Sequence, residues 1–493
     1  MSTDPAFQEL RALVALISDS LDSMEHTVCS RGQTFPSMHK PYSPESEAAR
    51  SVPEGLKASS VIVAAASQLI AAVRPPAISA LVTALQYHVS SSLRVAIQLQ
   101  VPEILREAGP KGLNVKDIAS PTKADPAKLS RILRVLATNY IFTEVSPDVF
   151  AHNLISSVLD TGKAVASVLE NPIAKHDSTT GISALLEQVS DISFKASAYL
   201  PESLLDNCTR ASETAEKRAF NLAFNTDDHF FNWLDLPQNA YFRRRFGMAM
   251  NGAKSADAPN AVFTGLDWGG LPAGSILVDV GGGVGSQSLA LAKMYSHLRF
   301  IIQDTENMIS AAGEASAWNH AIMRVPDESH TVLGRALAWS RQLWNIHDFF
   351  GPQPVKAPAV FFMRFIMHDW SDEPSVKILR RLRDAAGPET QLVIMDSIML
   401  YACEEPPSSI PGALHPPAPA PLLPNGGYAK TIDYLKDLTM MALHDGIERT
   451  LPQFQKIVEE SGWKIVKVVR DNSTSKVVAV PASDYAEGPS APL

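Results

Sequence analysis

The chain has 493 residues, too many for one ordinary core, so two or three domains are expected. A hydrophobic fraction of 45% and a charged fraction of 19% describe a globular protein rather than a disordered one. A formal net charge of -9, with no block of Lys and Arg, argues against nucleic acid as a partner.

The opening stretch MSTDPAFQELR lacks the basic and apolar regions of a signal peptide. The longest apolar run, Val61–Val73, is too short to span a bilayer. Cys29, Cys208 and Cys403 lie far apart and form no CxxC pair, which fits a reducing compartment. A cytoplasmic protein without membrane attachment is expected.

Phe7, Leu10, Leu13, Ile17 and Leu21 recur at helical spacing, and Ser, Pro and Glu dominate from 30 to 55. Residues 1–55 therefore read as a helix and a flexible linker. Helices are expected over 56–73, ending at RPP, and over 77–99. In 100–150, a helix, a short helix opened by NVKDIA, a helix from Pro126 to about Asn139 and a strand follow one another. Asp125 is placed as an N-cap with Pro126 at the first helical position. This order resembles a winged helix-turn-helix. Six Lys/Arg against four Asp/Glu over 111–150 are a weak surplus for gripping phosphates, so a packing module is expected. The apolar excess of this region predicts a homodimer, with 56–165 as the dimerisation domain.

Residues 166–260 read as a mostly helical connector. Phe242, Phe246 and Met250 share one helix face there, for core packing or for ligand contact. From 275 onward strands and helices alternate, which predicts a doubly wound α/β domain over 261–493. Its one long interruption, 404–427, carries eight prolines and reads as an irregular loop.

The stretch LVDVGGGVGS, 277–286, places Gly281, Gly282, Gly283 and Gly285 where the first strand of this domain turns into a helix. Bare backbone and free helix N–H groups there can meet a ligand closely. A dinucleotide site wants G-x-G-x-x-G, but the sixth position is Ser286. The spacing favours S-adenosylmethionine, which has no phosphates to cradle. Asp304 ends the next strand, 19 residues after Gly285, and reads either as a helix cap or as an acceptor for both ribose hydroxyls.

In FFMRFIMHDWSDEP, 361–374, an apolar strand runs out into His368, Asp369 and Trp370. A histidine beyond a strand's carboxyl end is structural, or takes a proton near neutral pH. Asp396 ends the next strand and Glu448 lies in HDGIERTLPQF. Either carboxylate could bind one imidazole nitrogen and leave the other free as a base.

LVDVGGGVG, IIQD, HDFFGPQPVK, FIMHDWSDE and DGIERTLPQF occur in this order. Together they resemble the class I S-adenosylmethionine-dependent O-methyltransferases of the plant caffeate-type and fungal group, with a winged-helix dimerisation domain. The resemblance covers roughly 75–480. It implies a Rossmann-like methyltransferase domain with a mostly parallel seven-stranded sheet. Asp279, Gly281, Gly282, Gly283 and Gly285 would lie at the cofactor, Asp304 at its ribose, and Asp348 and Phe349 beside its adenine. Arg364 stands near the cofactor where plant members commonly carry lysine. His368 would be the general base, flanked by Asp396, often Glu in plants, and by Glu448. Phe246, Met250, Trp370, Met440 and Met441 would frame a flat aromatic acceptor, with His444 at the pocket rim.

The chemistry asks the protein to hold an acceptor oxygen in line with an electrophilic methyl group and to remove its proton. A phenol of pKa ~10 is mostly protonated at pH 7, and a histidine meets that need without a metal. An NAD-dependent oxidoreductase, a ligand-sensing DNA-binding regulator and a cofactor-binding pseudo-enzyme are the competing readings. Ser286, the weak basic surplus and the intact His368, Asp396 and Glu448 count against them in turn.

Overall fold

The computed structural model describes residues 4–48, 50–206, 218–254, 261–306, 308–309, 344–470 and 474–483. Cys208 and parts of the connector, 207–217 and 255–260, lie outside the described residues. The chain forms two units. One comprises Met1–Ala256, Ala402–Glu404 and Pro417–Ile432, the other Asp257–Tyr401, Glu405–Pro416 and Asp433–Leu493.

The first unit opens with a helix over Pro5–Ser30, capped by Asp4, whose carboxylate accepts the Ala6 N–H at 2.9 Å. It pairs with a second helix, Pro53–Val73, through Leu13, Ala64 and Ala65, which also enclose Leu422 of the Pro-rich loop. The Gln68 amide donates to the Pro421 carbonyl at 2.9 Å and fastens that loop further. Between the helices, the Leu154 N–H donates to the Met38 carbonyl and the Tyr42 N–H to the Ser157 hydroxyl. The second helix corrects one expectation. Val61–Val73 belongs to a 21-residue helix that is, by length and composition, able to cross a bilayer. One side of it packs against Pro5–Ser30.

The expected helix over 77–99 is two, Pro76–Leu85 and Tyr87–Gln98, broken at Gln86. No Gly or Pro marks that break. The winged-helix order is present. Asp125 accepts the Lys128 N–H at 3.0 Å and opens the helix Pro126–Thr138. Three short strands, β1 (Leu113–Asn114), β2 (Thr143–Ser146) and β3 (Val149–Ala151), pair in the order β1-β3-β2. Ile97, Leu105, Leu133, Leu136, Phe142 and Phe150 form the core beneath them.

Farther on, helix Ala240–Lys254 is tied to helix Ile182–Gln188 and the π-helical turn Val189–Ser193 by buried charges. The Arg245 guanidinium donates to Glu187 at 3.2 Å and to Asp191 at 3.0 Å, and the Tyr241 hydroxyl donates to Glu187 at 3.0 Å. Burial penalises the Glu187 charge, but His176 and Arg245 outweigh it and hold the carboxyl at about 2. On the same helix Phe246 packs edge-on to Phe230 at 5.4 Å.

The second unit is a seven-stranded sheet in the order β6-β5-β4-β7-β8-β10-β9. Its strands are β4 (Ile276–Val280), β5 (Arg299–Asp304), β6 (Trp344–Ile346), β7 (Val360–Arg364), β8 (Gln391–Asp396), β9 (Trp463–Arg470) and β10 (Ser475–Pro481). β6 to β8 run parallel across the β5-β4-β7 centre, and β10 is antiparallel to both β8 and β9. The central strands are near-continuous apolar runs because both faces are covered. Val278, Phe361 and Ile394 face one core, with Leu379, Phe454 and Trp463. Leu277, Phe362 and Val393 face the other, with Trp268 and Leu291. This alternation fixes the register and brings the tips of β4, β5, β7 and β8 together at one edge.

Candidate active site

Ligands of open α/β sheets sit beyond the carboxyl ends of the strands, and the predicted residues of the second unit gather there. β4 ends in the glycine turn. Gly281 has φ +67°, a conformation that L side chains rarely adopt, and a Cβ on it would also press on Ile366 Cδ1. The Gly282 N–H donates to the Gln303 carbonyl at 3.1 Å, and Gly285 leads into the helix Ser286–Met294. Beneath the turn, buried Asp279 accepts the Ser288 hydroxyl at 2.6 Å. Burial pushes its carboxyl up to about 6.

Asp304 lies at the tip of β5. One oxygen accepts the Gly283 N–H at 2.8 Å and the other the Thr305 N–H at 2.8 Å. The carboxylate thus caps the segment that follows and pins the glycine turn. Burial raises its pKa. An anionic oxygen pair in this setting retains lone pairs for further donors such as ribose hydroxyls.

Phe349 follows β6. Its ring edge would stand 3.7 Å from a Cβ on Gly281, so the turn and the ring are neighbours. Asp348 accepts the Phe350 N–H at 3.0 Å, and Phe349 and Phe350 meet Trp370 edge-on at 6.0 and 4.8 Å. Arg364, at the end of β7, lies over the Phe365 ring at 4.4 Å.

His368 sits in a 3₁₀ turn, Met367–Asp369, just past β7. Its Nδ1 lies 2.8 Å from Glu448 Oε1, its ring stacks on Phe365, and its side chain is 12% exposed. Nε2 is 3.6 Å from Asp369 Oδ1, outside hydrogen-bond range. Burial opposes the imidazolium, but Asp369, Glu448 and Asp396 outweigh it and push the ring up to about 9. Glu448 is fully buried and held below its ordinary range, against its own burial, by His368 and Lys436.

Asp396 and Glu448 therefore differ in role. Glu448 grips the imidazole. Asp396 is buried, and neither of its oxygens accepts a hydrogen bond among the described residues. Burial pushes its carboxyl up to about 7. It acts on His368 through charge, without a bond.

Three residues had no role assigned from sequence. Asp369 faces His368 and stands 3.9 Å from His444 Nε2. Arg449, fully buried, donates to the Met367 and Trp370 carbonyls at 2.8 Å each and to Asp372 at 3.1 Å. It fixes the turn that carries His368. Lys436, from helix Thr431–His444, contacts Glu448 Oε1 at 3.2 Å. Met440 and Met441 are partly buried on that same helix. Phe246 and Met250 belong to the first unit, where Met250 is exposed. Among the described residues no group of three or more His, Cys, Asp or Glu is placed to hold a metal ion.

Comparison with known proteins adds the family. Residues 81–161 match the O-methyltransferase dimerisation domain and residues 339–410 the O-methyltransferase domain. The chain is 38% identical to 4-O-methyltransferase 1 of Phanerochaete chrysosporium over 487 residues, covering 96% of this chain and 99% of that one. The chain belongs to the O-methyltransferase family. An O-methyltransferase of Armillaria gallica is likewise 38% identical, over 94% of this chain and 96% of its own. The dinucleotide reading of the glycine turn falls away with this assignment. Among solved structures, OxaC matches with a TM-score of 0.62 at 20% identity, over 95% of this methyltransferase and 100% of OxaC. The mitomycin 7-O-methyltransferase MmcR matches with a TM-score of 0.58 at 23% identity, over 83% and 98%. At such identities the likeness speaks for the fold.

Proposed function

We propose that this methyltransferase moves a methyl group from S-adenosylmethionine to a hydroxyl of a small aromatic acceptor, with His368 as general base and no metal. One observation carries the reading: Nδ1 of His368 is taken by buried Glu448 at 2.8 Å, which leaves Nε2 for a ligand. In the neutral ring Nδ1–H donates to Glu448, so the lone pair sits on Nε2. The acceptor hydroxyl would give its proton to Nε2, and its oxygen would take the methyl group as the bond from that carbon to the donor's sulfur breaks, the donor leaving as a neutral thioether.

The residues present fit the donor. Asp304 is an anionic acceptor pair at a strand tip beside bare glycine backbone, and Phe349 offers an apolar face next to it. When bound, S-adenosylmethionine supplies a methyl group on a cationic sulfonium, an electrophile whose charge also favours the neutral imidazole. OxaC has been solved with SAH and oxaline, and with sinefungin and meleagrin, which supports the same donor class here. Trp370, Met440 and Met441 of the second unit are the proposed acceptor walls, and a homodimer through the winged-helix region is the proposed assembly. The free, exposed Cys29 and Cys403 suit a cytosolic setting.

Incubating the protein with S-adenosylmethionine and a panel of phenols, and reading products by mass spectrometry, tests the reading. Methyl ethers of aromatic hydroxyls are expected. Products from aliphatic alcohols or amines alone would overturn the acceptor class.

A further inference from the structure

His368 is surrounded by an excess of negative charge. Asp369 faces it from its own turn, Asp396 from the tip of β8, and Glu448 from the loop after helix Thr431–His444. Such a ring holds its proton, and a protonated imidazole is no base. The positive groups on the same side therefore matter. Arg364 lies over Phe365, and Arg449 is engaged with carbonyls and Asp372. From helix Thr431–His444 come Asp437, which accepts the Glu448 N–H, the buried His444 and Lys436.

Lys436 is placed differently from the other cations. Its Nζ reaches Glu448 Oε1 at 3.2 Å, the same oxygen that His368 Nδ1 meets at 2.8 Å. The two nitrogens thus lie within about 6 Å of each other. The ammonium also donates to Ser397 Oγ at 2.5 Å and lies over the Phe365 ring at 5.2 Å, the ring that His368 stacks on. A lysine held at three points beside the dyad is not a solvated surface charge; its side chain is 29% exposed.

We propose that Lys436 is a positioning residue for the reaction: by sharing Glu448 Oε1 with His368 it fixes the carboxylate and offsets the surrounding acids, so that the imidazole can act as a base. The proposal rests on His368 being that base. Glu448 is held by the ammonium, which is itself anchored on Ser397. A positive charge at this distance also opposes a second one on the ring, by about one pKa unit under partial screening.

The experiment follows two readouts in wild type, Lys436→Met and Lys436→Arg. One is the His368 titration by NMR on 13C-histidine-labelled protein, assigned with His368→Gln. The other is the pH profile of kcat/KM with one phenol and S-adenosylmethionine. In Lys436→Met the imidazole pKa should rise by about one unit, the acidic limb should rise with it, and the rate at pH 7 should fall about tenfold. The rate should recover at high pH, and Lys436→Arg should keep the wild-type limb. If the methionine variant does not fold, Lys436→Gln takes its place with the same expectations. An unmoved imidazole in a folded variant overturns the role of Lys436. An imidazole that shifts while the rate profile stays in place overturns His368 as the base, and leaves Lys436 without a part in catalysis.

Discussion

At the scale of single residues, the base assignment makes a graded prediction. His368→Ala should lower turnover roughly 10²–10⁴-fold, the range for losing a positioned general base. The loss should shrink for acidic phenols, which arrive ionised. A wild-type to variant rate ratio independent of acceptor pKa, with the fold intact by circular dichroism, would falsify the assignment. The same side chain governs a pH effect on stability. Its folded pKa, about 9, lies above the ordinary 6.5, so its contribution is complete below pH 6.5 and is lost as pH rises through 9. Denaturant titrations should show wild type losing roughly 3 kcal/mol over that window, a slope absent from His368→Gln. Asp396 acts with the same sign lower down, because its carboxyl is raised from 3.8 to about 7. Asp304→Ala should weaken S-adenosylmethionine binding by roughly 1.5–3 kcal/mol, measured calorimetrically. Glycines, strand tips and the histidine were legible because each sits at a break in an apolar pattern. Lys436 was not, since a lysine on an amphipathic helix reads as a solvated one until its partner is located. The choice between Asp396 and Glu448 was legible only in part: the shorter side chain of Asp396 weighed against it, but the loop that delivers Glu448 to Nδ1 could not be placed from sequence.

At the scale of elements, the longer strands of the sheet were legible and the three-residue β6 was not, for a simple reason. Strands buried on both faces are unbroken apolar runs bounded by polar turns, as in β4, β7 and β8. The helix pair at 76–98 was missed because Gln86 breaks it with helical dihedrals of its own, φ -58° and ψ -24°. The ionic tie on helix Ala240–Lys254 was equally hidden, since Arg245 stands in a run of three arginines of which it alone is buried. Here structure makes a prediction that sequence did not. Arg245→Leu removes the buried cation shared by Glu187 and Asp191, which keep His176 and Arg94 with Lys195, and should destabilise the first unit by about 1–3 kcal/mol. Arg244→Leu, whose partner Asp177 is at the surface, should cost under 1 kcal/mol. Similar Tm shifts for the two variants would show that the buried tie carries no special weight.

At the scale of the whole molecule, the helix Pro76–Leu85 buries none of its residues, and Ile78, Leu81 and Leu85 are each about half exposed. An apolar helix is not left facing water without a partner, and a second copy is the expected one. If the proposed homodimer forms through this helix, Leu81→Glu should run as a monomer in light scattering, with little change in the melting of the sheet unit. A wild-type monomer would remove this argument. The sheet itself has a consequence for how the enzyme is made. β10 follows every other strand in the sequence, yet it lies between β8 and β9 and pairs Ser475 with Asp396, the residue at the edge of the site. Until that segment has left the ribosome, β8 has an unpaired edge, β9 has no neighbour, and the carboxylate tip beside His368 has no backing. The first unit can fold during synthesis, as N-terminal domains do. Catalysis must wait. A frameshift or premature stop between Glu448 and Ser475 therefore discards the backing of the reaction centre, although each residue that does the chemistry has already been translated.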